Sequence, residues 1–205
     1  MPTRVLAAAV ALFLAASLSA CASTGSGPGT DMGGDGIPEP IPAGDVIGQG
    51  TVLQEGETSA QFCIGAVMES YPPQCGGMPL VAWTFPEGTF EEASDVRWGT
   101  YAIVGSWDGE SFEVTGEVVP LALYSPPAML DERLDEANAG AGDEATLTEI
   151  QDEIAGFGND SILSTWQQNG YVFVQVRYDD GTVQGWLDQR YGPDLVAVQS
   201  ALLDA

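Results

Sequence analysis

The stretch that decides the fold class is residues 98–123, WGTYAIVGSWDGESFEVTGEVVPLAL. Two runs rich in β-branched and aromatic residues, Trp98 to Trp107 and Ser111 to Leu123, flank the dipeptide Asp108-Gly109. Alternating apolar and polar residues indicate strands, and Asp-Gly between two strands is typical of a type I′ turn, in which both turn residues have positive φ. The stretch therefore predicts an antiparallel hairpin whose second strand is broken at Pro120.

Three further short runs of the same kind precede this hairpin and are separated by Gly and Pro. They lie near Gly50 to Gln54, Ala60 to Val67 and Leu80 to Phe85. Five antiparallel strands in about 80 residues fit either a small β-barrel of the OB kind or a short sandwich. We assign residues 45–127 to this β domain, and the pattern does not decide between its two architectures.

The remaining residues, 128–205, predict a small α/β domain, so that the whole chain is of the α+β class. One helical turn is expected around Leu130 to Leu134. A longer helix is predicted to begin after Asp143, which can cap free N–H groups, and to end at Gly156. Its apolar residues share one stripe of a 3.6-residue period and are Leu147, Ile150 and Ile154.

A hairpin is expected to follow, because Asn169-Gly170 separates Ile162 to Trp166 from Tyr171 to Arg177. A βαβ unit is then predicted, with Leu195 to Ala201 as its second strand. The apolar residues of its helix have helical offsets and are Val183, Trp186, Leu187 and Tyr191. A crossover helix makes the strands on either side of it parallel.

The ends of this second helix are indicated by Asp179 or Asp180 as its cap and by Gly192-Pro193 as its stop. Within it, Gln184 and Asp188 are expected one turn apart on the outer face. The alternative is a hairpin at Asp180-Gly181, but we favour the helix because the adjacent Trp186-Leu187 pair breaks any strand alternation.

Charge and composition exclude several classes of function. The chain has 30 acidic residues, five Arg, no Lys and no His, and its formal net charge is −25. Such a surface repels nucleic acid, so no nucleic-acid partner is expected. Without His there is no Ser-His-Asp triad or His-ligated zinc, and without Lys there is no Schiff base.

Carboxylate chemistry remains, as in glycosidases, and the adjacent pairs are Glu91-Glu92 and Asp179-Asp180. In so acidic a chain such pairs are more commonly caps or surface charge. Segments starting at Asp31, Asp108 and Asp179 do not have the spacing of a calcium loop. We therefore predict a protein that is not an enzyme and has no cofactor or metal.

The first 20 residues have the pattern of a secretory signal peptide. A single positive charge, Arg4, precedes an apolar run from Val5 to Leu18. That run is shorter than the roughly 18 residues that a membrane-spanning helix needs. We expect the segment to be removed, which leaves about −26 of formal charge on the mature chain.

The residues Leu18-Ser19-Ala20-Cys21 resemble the lipobox of bacterial lipoproteins. The resemblance implies cleavage after Ala20, a diacylglycerol thioether on Cys21, palmitate-type acylation and a lipid anchor on the extracytoplasmic face of the cell membrane. Ala22 to Gly44 is rich in Gly, Ser and Pro, so residues 21–44 are predicted to form the lipidated Cys and a disordered tether.

With Cys21 used by lipid, Cys63 and Cys75 can only pair with each other, and an oxidising compartment makes a disulfide the expected state. Such a closed ring stabilises the fold by roughly 3 kcal/mol through the entropy of the unfolded chain.

Four aromatic residues are candidate binding residues for a glycan ring or a protein partner: Tyr71, on the disulfide loop, and Trp83, Trp98 and Tyr101, on predicted strands. The competing interpretation places most of them in the core, since a small domain has few other large apolar groups.

Phe62 to Met78 and Arg190 to Pro193 are similar to segments of uncharacterised secreted proteins and lipoproteins of actinobacteria, from which no activity carries over. We therefore expect a non-catalytic binding or display module of the cell envelope whose partner is an envelope protein or a glycan. The alternatives are a structural envelope protein without a ligand and a carboxylate hydrolase of wall glycan.

Overall fold

The computed structural model describes residues 36–126 and 131–205, which form a mixed α+β fold with two sheets. The first sheet contains the six strands of residues 46–120 and the strand Leu202–Asp204. The elements are β1 (Val46–Glu55), β2 (Gln61–Cys63), β3 (Met78–Val81), β4 (Glu91–Ala93), β5 (Val96–Trp107), β6 (Phe112–Pro120), α1 (Glu144–Ala155), β7 (Ile162–Gln168), β8 (Tyr171–Val176), α2 (Thr182–Tyr191), β9 (Val196–Ser200) and β10 (Leu202–Asp204).

The seven strands of the first sheet have the order β10-β1-β2-β3-β6-β5-β4, and an additional pairing joins β1 to β5. That pairing closes a ring of hydrogen-bonded strands, β1-β2-β3-β6-β5. All pairings in this sheet are antiparallel except β3 with β6, which is parallel. The prediction of five antiparallel strands is thus confirmed in part, because the sheet is mostly antiparallel but β3 and β6 are parallel.

The first core lies between the strands of this ring. The long strands β1 and β5 pair from Val46 opposite Gly105 to Glu55 opposite Val96. The other edge of β1 is shared, because β10 pairs with its first residues and β2 with its later ones. Fully buried side chains of this core include Val46, Val52, Phe62, Tyr101, Ile103, Phe112 and Leu202.

The hairpin predicted from residues 98–123 is present as β5 and β6, but its turn is not of type I′. Pairing ends at Trp107 opposite Phe112, and of the two residues Asp108 and Gly109 only Gly109 has positive φ, 100°. The Asp108 carboxylate instead accepts hydrogen bonds from the N–H groups of Glu110 and Ser111, at 2.8 and 2.7 Å, and closes a longer turn. These bonds lower the pKa of Asp108.

Two strands of this sheet were not anticipated by the sequence pattern, β4 and β10. Strand β4 joins β5 through Ser94 and Asp95, which both have positive φ, 50° and 64°. Strands β2 and β3 are shorter than predicted and end at Cys63 and Val81.

The second sheet has the order β7-β8-β9, and its features match the predicted hairpin and βαβ unit. Asn169 and Gly170 both have positive φ, 49° and 77°, between β7 and β8. Strands β8 and β9 are parallel, and α2 connects them. Helix α1 is capped as expected, because the Asp143 carboxylate accepts the N–H of Thr146 at 2.8 Å.

The second core is formed by one face of this sheet and both helices. It contains Leu147, Ile150 and Ile154 of α1, Val183 and Leu187 of α2, and alternate valines of β8 and β9. On the other face, the Trp166 and Phe173 rings stack at 5.2 Å. The predicted apolar stripe of α1 is therefore buried, and that of α2 faces the same core, with Trp186 and Tyr191 only partly buried against it.

Both candidate caps of α2 are used. Asp179 accepts the N–H of Val183 at 2.8 Å, Asp180 accepts that of Thr182 at 3.0 Å, and Gly192 ends the helix with φ 99°. The helical turn expected around Leu130 to Leu134 is present as a 3₁₀ turn over Glu132–Leu134, while Leu130 lies outside the described residues.

The expectation that Gln184 lies on the outer face of α2 is wrong. Its amide nitrogen donates to Asp188 at 2.8 Å, as the one-turn spacing predicts, but also to the carbonyl of Val196 at 3.0 Å. Its oxygen accepts from the N–H of Val198 at 2.9 Å and from Arg133 at 2.8 Å. The side chain is turned onto β9 because the outer polar groups of that strand have no neighbouring strand.

The segment before β1 also contacts the fold. Ile37 is only 4% exposed and belongs to the second core, and Ile41 lies beside the turn at Gly109. Ile37 falls within residues 21–44, for which the sequence predicts a disordered tether. The part of that segment from residue 36 onward is therefore attached to the fold through Ile37, whereas Ile41 is 55% exposed beside the turn.

Candidate functional site

A groove of about 860 Å³ lies between the ring of strands and the second sheet. The end of β2, the start of β3 and the β5–β6 turn form one wall, and residues 158–163 with the residue after β8 form the other. Residues that line it include Met78, Pro79, Trp107, Asn159 and Arg177, and the fully buried Phe62 lies beneath them. The groove thus combines apolar, aromatic and hydrogen-bonding surface.

Arg177 is fixed in this groove by contacts with Ser161, just before β7, and with β10 and β5 of the first sheet. Its backbone N–H donates to Ser161 at 2.8 Å, and its carbonyl accepts the N–H of Leu202 at 2.9 Å. The guanidinium carbon lies 4.9 Å from the centre of the Trp107 ring, within the range of a cation–π contact. One guanidinium N–H donates to the Asp160 carbonyl at 3.1 Å, whereas the buried Nε has no acceptor.

The charge of the groove is mixed. Three arginines of the described residues form ion pairs: Arg97 with Glu92, Arg133 with Asp131, and Arg190 with Glu153. Within the described ranges, no carboxylate oxygen lies within 4 Å of the Arg177 guanidinium. The groove is nevertheless lined by three acidic residues, which are Glu39, Glu110 and Asp160. A fixed cation therefore lies next to several carboxylates without being neutralised by one.

The four aromatic candidates form two separate pairs. Tyr71 meets Trp98 edge-on at 5.4 Å, and Tyr71 is 76% exposed whereas Trp98 is 9% exposed. Trp83 meets Tyr101 at 5.1 Å in the first core, where Tyr101 has no exposed surface. Its hydroxyl donates to the Thr89 carbonyl at 2.9 Å. Burial raises the pKa of Tyr101, and the Thr89 side chain opposes this shift.

None of these four candidates is among the groove-lining residues. Tyr71 is the candidate with a widely exposed ring, and Trp98 supports it from below. Sequence reasoning did not identify Arg177 or the residues around Asn159 as site residues. One signal was available, because Arg177 is one of only five arginines in a very acidic chain.

Cys63 and Cys75 form the predicted disulfide, with an S–S distance of 2.03 Å. The loop that it closes is pinned further by the hydrogen bond from the N–H of Met68 to the carbonyl of Gln74, at 2.8 Å. The disulfide is consistent with an extracytoplasmic compartment. Cys21, the predicted lipidation site, lies outside the described residues.

The adjacent carboxylate pairs have structural contacts. Glu92 pairs with Arg97 at 2.7 Å beside Glu91 on the short strand β4, and Asp179 and Asp180 cap α2. Among residues 36–126 and 131–205, no group of three or more His, Cys, Asp or Glu side chains is placed to hold a metal ion.

Comparison of the chain with protein-family models, with curated proteins and with solved structures finds no match. In the part of the chain that the structure describes, neither helix is long and apolar enough to cross a bilayer.

Proposed function

We propose that the protein is a lipid-anchored, non-catalytic binding module of the cell envelope and that the groove beside Arg177 binds a glycan. The observation that carries this proposal is the position of the groove on the ring of strands. The ring order β1-β2-β3-β6-β5, with β3 and β6 parallel, supports a small barrel of the OB kind. In such barrels the face of the second and third strands and the loop between the fourth and fifth bind oligosaccharides or oligonucleotides.

The corresponding elements here are β2, β3 and the β5–β6 turn, and all three line the groove. A formal charge of −25 disfavours an oligonucleotide, since phosphate binding requires clustered cations. Sugar hydroxyls both donate and accept hydrogen bonds, so they suit a groove that offers carboxylates, an amide and a guanidinium. A glycan is therefore the better-matched ligand.

Binding to envelope polysaccharide tests this proposal. The mature chain should bind polysaccharide extracted from the envelope of the native cell, as measured by co-sedimentation. Gly76→Trp places a large ring at the groove, where a Cβ meets no atom within 4 Å, and should abolish binding. Tyr71→Ala is the control outside the groove and should leave binding unchanged. Loss with Tyr71→Ala alone would move the site to the Tyr71–Trp98 pair.

The anchor is proposed from the lipobox and is tested separately. Cys21→Ala should prevent lipid attachment, because no other thiol lies near the expected cleavage point. Unprocessed or released protein should then appear in cell fractions. A Cys21→Ala chain that still carried a diacylglycerol would contradict the assignment.

A further inference from the structure

The arginine in the groove is the exception in this chain. The chain has 30 acidic residues and only five arginines. The other three arginines of the described residues each have a carboxylate partner. Arg177 lies within a groove that itself carries Glu39, Glu110 and Asp160, yet none of these reaches its guanidinium. The guanidinium is therefore a charge whose natural partner is not supplied by the described part of the chain.

The same guanidinium is held ready for a partner. The Trp107 ring lies 4.9 Å from its central carbon, the Asp160 carbonyl accepts one N–H, and hydrogen bonds to two segments fix its backbone. One of its five N–H donors is used within the described residues and the one on Nε is buried, so three donors on the two terminal nitrogens remain for a planar, two-pronged acceptor. A carboxylate has this geometry, and the guanidinium binds it through two parallel hydrogen bonds. Because the side chain is already ordered, little conformational entropy is lost on binding.

We infer that the ligand of this groove carries a carboxylate that pairs with Arg177, so that the ligand is an acidic glycan of the uronic-acid class. This inference rests on the proposed function, in which the groove binds a glycan.

The neighbouring acids restrict the ligand further. Glu39, Glu110 and Asp160 repel additional anions but accept hydrogen bonds from hydroxyl groups. Repulsion from the rest of the chain is screened beyond about 8 Å at physiological ionic strength, whereas the contact with Arg177 is direct. The groove therefore suits a glycan whose acid groups are separated by neutral, hydroxyl-rich sugars, and it disfavours a dense polyanion.

Two matched ligands test the inference on the mature protein at physiological ionic strength. The first is a tetrasaccharide of alternating glucuronic acid and N-acetylglucosamine, and the second is the same tetrasaccharide with its carboxyl groups reduced to alcohols. Calorimetry should show that the acidic form binds about ten- to a hundred-fold more tightly, the range of a charge-assisted hydrogen bond. Arg177→Gln should remove this preference, and Arg97→Gln, which changes the net charge equally but outside the groove, should retain it.

The possible results separate the two claims. If the wild-type protein binds both tetrasaccharides equally and Gly76→Trp binds neither, the carboxylate inference is overturned while the glycan-binding function stands. If the wild type binds neither tetrasaccharide nor the envelope polysaccharide, both are overturned. Circular dichroism checks the fold of Arg177→Gln, and should that variant not fold, the comparison of the two ligands on the wild-type protein decides alone.

Discussion

The side-chain oxygen of Gln184 accepts a hydrogen bond from the backbone N–H of Val198 at 2.9 Å. Its amide nitrogen donates to the carbonyl of Val196 at 3.0 Å, so one side-chain amide makes both bonds that a neighbouring strand would make. Arg133 covers the next polar group of the edge, the Val198 carbonyl, at 2.9 Å. An open strand edge invites pairing with another chain, and these two side chains close that of β9.

Replacing Gln184 should therefore be harmful, although it lies on a helix. Gln184→Ala leaves the Val198 N–H and the Val196 carbonyl without partners, which should lower the free energy of unfolding by about 2–3 kcal/mol. Gln189→Ala is the matched control, because Gln189 is an exposed residue of the same helix, and its effect should stay within about 0.5 kcal/mol. Urea unfolding measures both, and equal effects would contradict the edge-capping role.

Gly140 should tolerate no side chain. A Cβ there would lie 2.7 Å from the carbonyl oxygen of Asp194 and would also collide with that of Gly170. Both obstacles are backbone atoms, so no rotamer change relieves them. Gly140→Ala should lower the free energy of unfolding by about 1–3 kcal/mol.

Gly185→Ala is the control for Gly140→Ala, and it should change the free energy of unfolding in the opposite direction. Gly185 lies within α2, and a Cβ there meets no atom within 4 Å. Gly185→Ala should raise the free energy of unfolding by up to about 1 kcal/mol through helix propensity. The melting temperatures of the two variants should move in opposite directions, and destabilisation by both would contradict the open space around Gly185.

The disulfide should stabilise the fold mainly by lowering the conformational entropy of the unfolded chain. Cys75→Ser should lower the free energy of unfolding by roughly 3 kcal/mol. In the wild-type protein, a thiol reagent should label Cys63 and Cys75 only after reduction. The double variant Cys63→Ser/Cys75→Ser is the control, since reductant should not change its melting temperature. Labelling without reductant would contradict a fully formed disulfide.

Acid should weaken one ion pair in a defined range. Hydrogen bonds from Arg133 lower the pKa of Asp131 to about 2, against the opposing effect of burial. An unfolded Asp has a pKa of about 3.9, so the ionised carboxylate stabilises the fold fully above about pH 4. This contribution is lost as the pH falls through about 2.

Asp131→Asn measures this contribution. At neutral pH the free energy of unfolding of the wild type should exceed that of the variant by about 1 kcal/mol. This value is reduced for solvent screening because the Arg133 side chain is 32% exposed. Urea unfolding at several pH values should show this difference narrowing between pH 4 and 2. A difference that stays constant with pH would mean that the carboxylate charge contributes nothing.

The sequence predicted the elements that local signals specify. Each of these signals acts within a few residues. Asp143 predicts the cap of α1, Asn169-Gly170 predicts the turn between β7 and β8, and the stripe from Val183 to Tyr191 predicts α2. Strands β4 and β10 have only three residues each, too few for a periodic pattern, and depend on pairing with distant strands.

The groove could not be predicted for the same reason. Arg177 and Trp107 are 70 residues apart, and their contact exists only because the two sheets meet there. Gln184 likewise has the spacing of an exposed helical residue, and its bonds to β9 depend on where that strand ends. The sequence identifies the aromatic candidates as large apolar residues but does not show which of them are exposed. Tyr101 is buried because β1 pairs with β5 and closes the ring of strands around it.

Strand β10 completes the sheet with which the described fold begins. Leu202–Asp204 pair with the start of β1, Leu202 is fully buried, and the N–H of Ala205 donates to the carbonyl of Asp45 at 3.1 Å. During synthesis β10 leaves the ribosome after every other described strand, so the first sheet stays unfinished until the second sheet has been made. Deleting Leu202–Asp204 would leave part of the edge of β1 uncovered and a gap in the first core, although every other described strand and helix was present.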